Sequence, residues 1–168
     1  MLEDKAHQEN LRIGRFSKTG QFYAITKCCD KKEQLLIPDL GDLSSGSSYF
    51  EIFYEAISWL IQNNHISYPS ATMMPDHFHL VFQLGESKDL SEVIQSLCKF
   101  TAKKYNEMRK ISGKFWQTGF YDHAIRSHES IATQINYILE NPVRKGLVNS
   151  IENWPFKIIT YPPISVSR

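Results

Sequence analysis

Apolar residues in this chain alternate between a period of two and a period near 3.6, and the order of the changes leaves few folds open. Residues 21–27 (QFYAITK) are β-branched and aromatic and predict a strand. Residues 28–46, broken by Pro38, Gly41 and Gly46, predict a long connection whose last serines cap the next helix. From Tyr49 to Asn63, the positions Phe50, Phe53, Ile57, Leu60 and Ile61 recur at helical spacing. Residues 68–74 and 78–84 predict two strands joined through the turn pair Pro75-Asp76. Leu90 to Arg109 is the clearest helix, with a stripe of Leu90, Ile94, Leu97, Thr101 and Met108, and with Lys99, Lys103 and Lys110 opposite. Residues 115–126 predict a loop and then a strand. Glu129 to Asn141 predicts a last helix, with Ile131, Ile135 and Ile138 facing a core and Pro142 ending it. The tail around Trp154-Pro155-Phe156 is expected to pack back over the rest.

Strand, helix, strand, strand, helix, strand is the split βαβ or ferredoxin-like order. The expected class is therefore α+β: an antiparallel βαββαβ sheet with helices on one face, plus an extra C-terminal helix bearing Tyr137. At 168 residues the chain can bury one core and hardly two. Without a repeat or a convincing linker, residues 1–168 read as a single domain with its core at about residues 10–160.

Composition narrows the class of function. Hydrophobic residues at 42% and charged residues at 22% exclude a disordered or fibrous chain. Apolar runs such as Ala56 to Ile61 are too short to span a bilayer, and the polar start MLEDKAHQEN holds no signal core. Three cysteines, Cys28, Cys29 and Cys98, make neither a disulfide framework nor a zinc knuckle; a cytoplasmic protein with no membrane partner is expected. The net charge of +1 conceals an uneven distribution: residues 99–126 carry seven Lys/Arg against two Asp/Glu, whereas residues 29–98 carry three against ten. A basic block of this kind is either a solvated helix face or an anion-binding surface.

Two sets of residues are able to carry chemistry. In His77-Phe78-His79 the two imidazoles fall on one face of a strand, where both can reach one ion or simply stand half-exposed. On the last helix Gln134, Tyr137 and Asn141 share a flank, although periodicity alone does not single out one of eight tyrosines. A reaction that needs both sets is phosphodiester transfer, in which a phenol attacks phosphorus while a divalent ion polarises the phosphoryl group.

Three ordered blocks make the resemblance specific: MPDHFHLVFQL around His77 and His79, FWQTGFYDHAIR at 115–126, and YILENPVRKGLV at 137–148 followed by Trp154-Pro155-Phe156. With them the chain resembles the single-tyrosine HUH transposases of small insertion sequences, and most closely the REP-associated tyrosine transposases. The resemblance implies an enzyme that cuts and rejoins single-stranded DNA at hairpin-associated sites through a 5′-phosphotyrosine. Tyr137 would be the nucleophile, with Tyr121 as runner-up. His77, His79 and Asn141 would hold a divalent metal, Mg or Mn. Asp122, His123 and Gln134 would support the site or the phosphate. Arg126, Arg144, Lys145, Lys103 and Trp116 would contact DNA, with Phe120 a further stacking candidate. A homodimer and a monomer are both compatible with the family. The alternative is a domesticated protein that binds nucleic-acid hairpins with weak or no cleavage, and a third reading is a metallohydrolase that uses water and leaves no protein adduct.

Overall fold

A computed structural model describes residues 17–126 and 130–163. Its framework is a five-stranded antiparallel sheet: β1 (Phe22–Cys28), β2 (Ile66–Met73), β3 (His77–Leu84), β4 (Tyr121–Ala124) and β5 (Lys157–Ile158), in the order β4-β1-β3-β2-β5. Two long helices, α1 (Ser47–Gln62) and α2 (Leu90–Arg109), cover one face. There Phe53, Ile57, Leu60, Val93, Ile94 and Leu97 pack on Tyr23, Ile25, Phe78, Leu80 and Phe82. The strand and helix order is the one expected from the sequence.

The Tyr137 helix lies on the opposite face. α3 (Ile131–Leu139) buries Ile135, Ile138 and Leu139 against Phe22, Val81 and Ile125, forming a second, smaller core. Strand residues point alternately to the two faces. The even positions Phe78, Leu80 and Phe82 therefore feed the large core, while His77, His79 and Val81 face α3's side.

Several local expectations are corrected. The serines do not cap α1: its N-cap is Gly46, Ser47 and Ser48 are already helical, and it is Asp42 that caps the preceding turn through the Ser44 amide. Gly46 is tight for a reason, since a Cβ there would stand 2.8 Å from Phe156 and 2.9 Å from Ile37. Met108 lies outside the core stripe of α2, which ends instead on the fully buried Tyr105, whose hydroxyl donates to the Tyr49 carbonyl. Pro142 does not stop the last helix. The chain turns at Glu140 and begins a short helix, α4 (Asn141–Arg144), with the proline in its first turn, where its lack of an N–H costs nothing. The predicted start at Glu129 lies outside the described residues.

The tail closes the far edge of the sheet. Trp154 is fully buried and donates its indole N–H to the Met73 carbonyl, Met73 N–H bonds to Phe156, and β5 pairs with β2. Tyr161 then reaches α3, its hydroxyl donating to Asn136 Oδ1 at 2.6 Å. Trp154→Ala is expected to cost about 3–5 kcal/mol of stability by loss of buried volume. Urea denaturation measures that loss.

Candidate active site

The β1–β3 register builds the site. Thr26 pairs with His79 and Cys28 with His77, so one threonine, one cysteine and two imidazoles share the face on which α3 sits. His77 Nδ1 lies 2.6 Å from Asp76 Oδ1. A carboxylate only accepts, so Nδ1 carries the hydrogen and His77 Nε2 presents a lone pair. His79 Nδ1 lies 2.8 Å from Thr26 Oγ1, and its Nε2 receives the Asn141 side-chain N–H. His79 therefore holds the same tautomer as His77. The two Nε2 atoms converge to 3.1 Å, with the rings edge to face.

In this tautomer neither Nε2 carries a hydrogen to share, so a cation between them, a proton or a metal ion, favours the approach. Two nitrogens 3.1 Å apart, each about 2.1 Å from one ion, subtend roughly 95°, suited to adjacent positions of an octahedron. Among the described residues no third His, Cys, Asp or Glu completes a metal-binding group. The available third donor is the amide of Asn141, which is only 8% exposed and becomes an oxygen donor when the amide turns over. The residues present thus fit a small divalent cation, with Asp76 and Thr26 orienting the two imidazoles.

Electrostatics agree. Burial, with the charges of His77 and Arg144 adding to it, lowers the ionisation of His79 to about 3, which keeps the ring neutral and able to donate its lone pair. The hydrogen bond to His77 holds the Asp76 carboxyl below its usual range despite partial burial, with the Lys32 charge a smaller aid. Lys32 follows Lys31 in a turn where both take left-handed backbone, φ 56° and 52°.

Tyr137 is 59% exposed on α3. The Arg144 guanidinium lies over its ring, 4.0 Å from the centroid, and within 3.7 Å of Glu140. The break between α3 and α4 therefore folds Arg144 back onto the tyrosine while Asn141 reaches His79. Gln134 is half-buried one turn earlier and makes no hydrogen bond to the pair.

Other expected residues fall elsewhere. Asp122 pairs with Ile25 and so shares the large-core face, away from the histidines; its expected place beside them is corrected by the register. His123 pairs with Ala24 and stands exposed on the histidine face, as does Tyr121, which pairs with Thr26. Trp116 is not a surface for bases: it is buried against Phe78 and Phe115, and its N–H is used by Thr101. Phe120 is half-buried against the same core. Lys103 is exposed on α2 near Glu107, on the far side of the sheet from the histidines. Arg126 and Lys145 are exposed. The reading from sequence missed Thr26 and Asp76. Asp76 carries a signal, a carboxylate next to a paired histidine, beyond its place in the Pro75-Asp76 turn; Thr26 carries none, because its role exists only through cross-strand register.

The sequence profile of the IS200-like transposases matches residues 45–141. The chain belongs to the IS200-like transposase family. It is 28% identical over 151 residues to a Haemophilus influenzae protein provisionally named as a REP-associated tyrosine transposase, an alignment covering 84% of this chain and 80% of the relative. It is 23% identical to the REP-associated tyrosine transposase of Escherichia coli K12 over 141 residues, 84% of this chain and 77% of that one. Its fold matches a solved REP-associated tyrosine transposase bound to a REP hairpin, with TM-score 0.66 and 23% identity over 85% of this chain and 79% of the other. The chain is thus an enzyme of the transposase class. No helix among its described residues is long and apolar enough to cross a membrane.

In protein free of metal, the His79 imidazole is expected to stay neutral from pH 8 to about 5, where a free histidine has gained its proton. Ring-nitrogen chemical shifts measured by NMR read this directly. A His79 that titrates near 6.5 contradicts the buried, lone-pair-donating ring described above.

Proposed function

We propose that this transposase cleaves and rejoins single-stranded DNA at hairpin-associated sites, with Tyr137 as nucleophile and a divalent ion, Mg or Mn, held by His77, His79 and Asn141. The observation that carries the reading is the convergence of the two Nε2 atoms beside Asn141, a short helical step from Tyr137. The relatives named above support the kind of DNA, since one of them was solved with a REP hairpin.

When bound, the ion polarises the phosphoryl group and draws charge from the non-bridging oxygens. The chain's own groups do the rest. Asp76 and Thr26 fix both imidazoles in the tautomer that leaves Nε2 free. Asn141 turns its amide oxygen toward the same point. Tyr137 Oη attacks phosphorus, its proton passing to water; the bond to the 3′ oxygen breaks, and that oxygen takes up a proton. One phosphodiester has been exchanged for another, so the free 3′-hydroxyl of a second strand can reverse the exchange and join without ATP. The Asn141–His79 contact within one chain supports Tyr137 acting in cis.

Wild type and Tyr137→Phe, each incubated with labelled hairpin oligonucleotides and Mn²⁺, test the assignment on a denaturing gel. A shifted covalent band is expected for wild type alone, and it should vanish in EDTA. An adduct in Tyr137→Phe would overturn the nucleophile. Cleavage with no adduct would favour the metallohydrolase, and binding without cleavage a hairpin-binding protein.

The orienting role of Asp76 has its own readout. Asp76→Ala is expected to weaken Mn²⁺ binding about 10–100-fold while leaving the ligands in place. Calorimetric titration measures that change, and an unchanged affinity would remove Asp76 from the site.

A further inference from the structure

The histidine face of the sheet is only half covered. α3 packs over Phe22, Val81 and Ile125, beside the end that carries Thr26, Cys28, His77 and His79, which stay half-buried. Three strands run side by side at that end, and the register sets Tyr121, Thr26 and His79 in one row across β4, β1 and β3. Tyr121 thus shares the floor with the histidines. Two strand spacings, roughly 10 Å, separate its backbone from that of His79. That span is comparable to the reach from a phosphate to the far edge of its own base.

The ring is available. Tyr121 is 51% exposed and makes neither a ring contact nor a hydrogen bond among the described residues. It is also held in place. The buried Lys27 donates from Nζ to the Gln117 and Gly119 carbonyls, at 2.5 Å each, and so fastens the segment that leads into β4. Cys29 bridges to Trp116 just before it. Exposing a large aromatic ring on a fixed edge strand, beside a site for phosphodiester chemistry, has a cost that nothing in the packing offsets. An unpaired base has the complementary surface: a flat π-face that stacks on an aromatic ring whatever its sequence. The exposed rings Tyr54 and Trp59 lie on α1, on the far side of the sheet, and cannot serve this place.

We propose that Tyr121 is a stacking platform for the unpaired nucleotide that flanks the phosphate held at His77 and His79. This rests on the reading of the histidine pair as the strand-cleavage site. The second tyrosine of the neighbourhood thereby has a task distinct from that of Tyr137: it orders the strand, and its hydroxyl takes no part.

Fluorescence anisotropy of labelled dT12 tests the proposal with the full chain, using Tyr121→Ala, Tyr121→Phe and Tyr121→Trp, each checked for an unchanged melting curve. Tyr121→Ala should weaken binding about 10–100-fold, whereas the Phe and Trp variants should bind like wild type. A dT12 strand carrying abasic positions should bind wild type as weakly as unmodified dT12 binds Tyr121→Ala. Wild-type affinity in Tyr121→Ala would overturn the platform, and so would a loss in Tyr121→Phe as large as that in Tyr121→Ala. On the denaturing gel Tyr121→Phe should still form the covalent band. Its disappearance there, with the band kept in Tyr137→Phe, would make Tyr121 the nucleophile and overturn both readings. Failure of the binding series with the band still dependent on Tyr137 would overturn only the platform.

Discussion

Two imidazole nitrogens held 3.1 Å apart are the constraint around which this chain is arranged. Left alone, the rings would turn away or share a proton. They are kept in place from behind, His77 by the Asp76 carboxylate and His79 by the Thr26 hydroxyl. The first support is local, between neighbours in sequence; the second depends on the β1–β3 register, which sets Thr26 opposite His79 and Cys28 opposite His77. A slip of one residue would send the histidines into the large core and bring Phe78 and Leu80 to the open face. The strongest force holding that register is the burial of Phe78, Leu80 and Phe82 beneath α1 and α2, so the apolar half of β3 fixes the position of its polar half.

The two faces of the sheet divide the work. The α1–α2 face is a closed aromatic and aliphatic core, from Phe53 through Phe78 to Trp116, and it supplies stability. The other face carries α3 over only part of its area, and its small cluster of Phe22, Val81, Ile125, Ile135, Ile138 and Leu139 attaches the helix while the histidines stay half-buried beside it. A second full layer would have been more stable and would have left no room for a phosphate. Tyr161 bonding to Asn136 adds a polar hold on the outer side of α3.

Much of this was legible in the sequence, for reasons that mark where legibility ends. Period-two and period-3.6 patterns report which face of an element is apolar, so β1, β3, α1 and α2 were readable, as was the stripe of Ile131, Ile135 and Ile138. The His-x-His pair was readable because alternation alone places both rings on one side. The same alternation also separates Asp122 from His123, but which of them faces the histidines depends on how β4 pairs with β1, and pairing is a long-range fact. Trp116 and Lys103 were misread for a related reason. An aromatic ring or a basic charge in a DNA-binding candidate invites a role in DNA contact, and only packing shows that Trp116 is spent in the core and that Lys103 stands behind the sheet. Thr26 was invisible, since a threonine within a strand carries no local sign of bonding a histidine 53 residues away.

The break at Glu140 shows how one local feature resolves a problem of geometry. In an unbroken helix Asn141 would continue the line of Tyr137, and Arg144 would follow two turns on, directed by the same axis. Pro142 cannot supply the N–H that an unbroken helix needs, but it is well suited to the first turn of a new one. The restart sends three side chains within eight residues in different directions: Asn141 inward to His79, Tyr137 outward to solvent, and Arg144 back across the tyrosine ring. The guanidinium thus overlies the phenol ring, and its charge also opposes protonation of His79. A cation in that position helps keep the neighbouring imidazole neutral, the form in which a ring nitrogen can offer its lone pair.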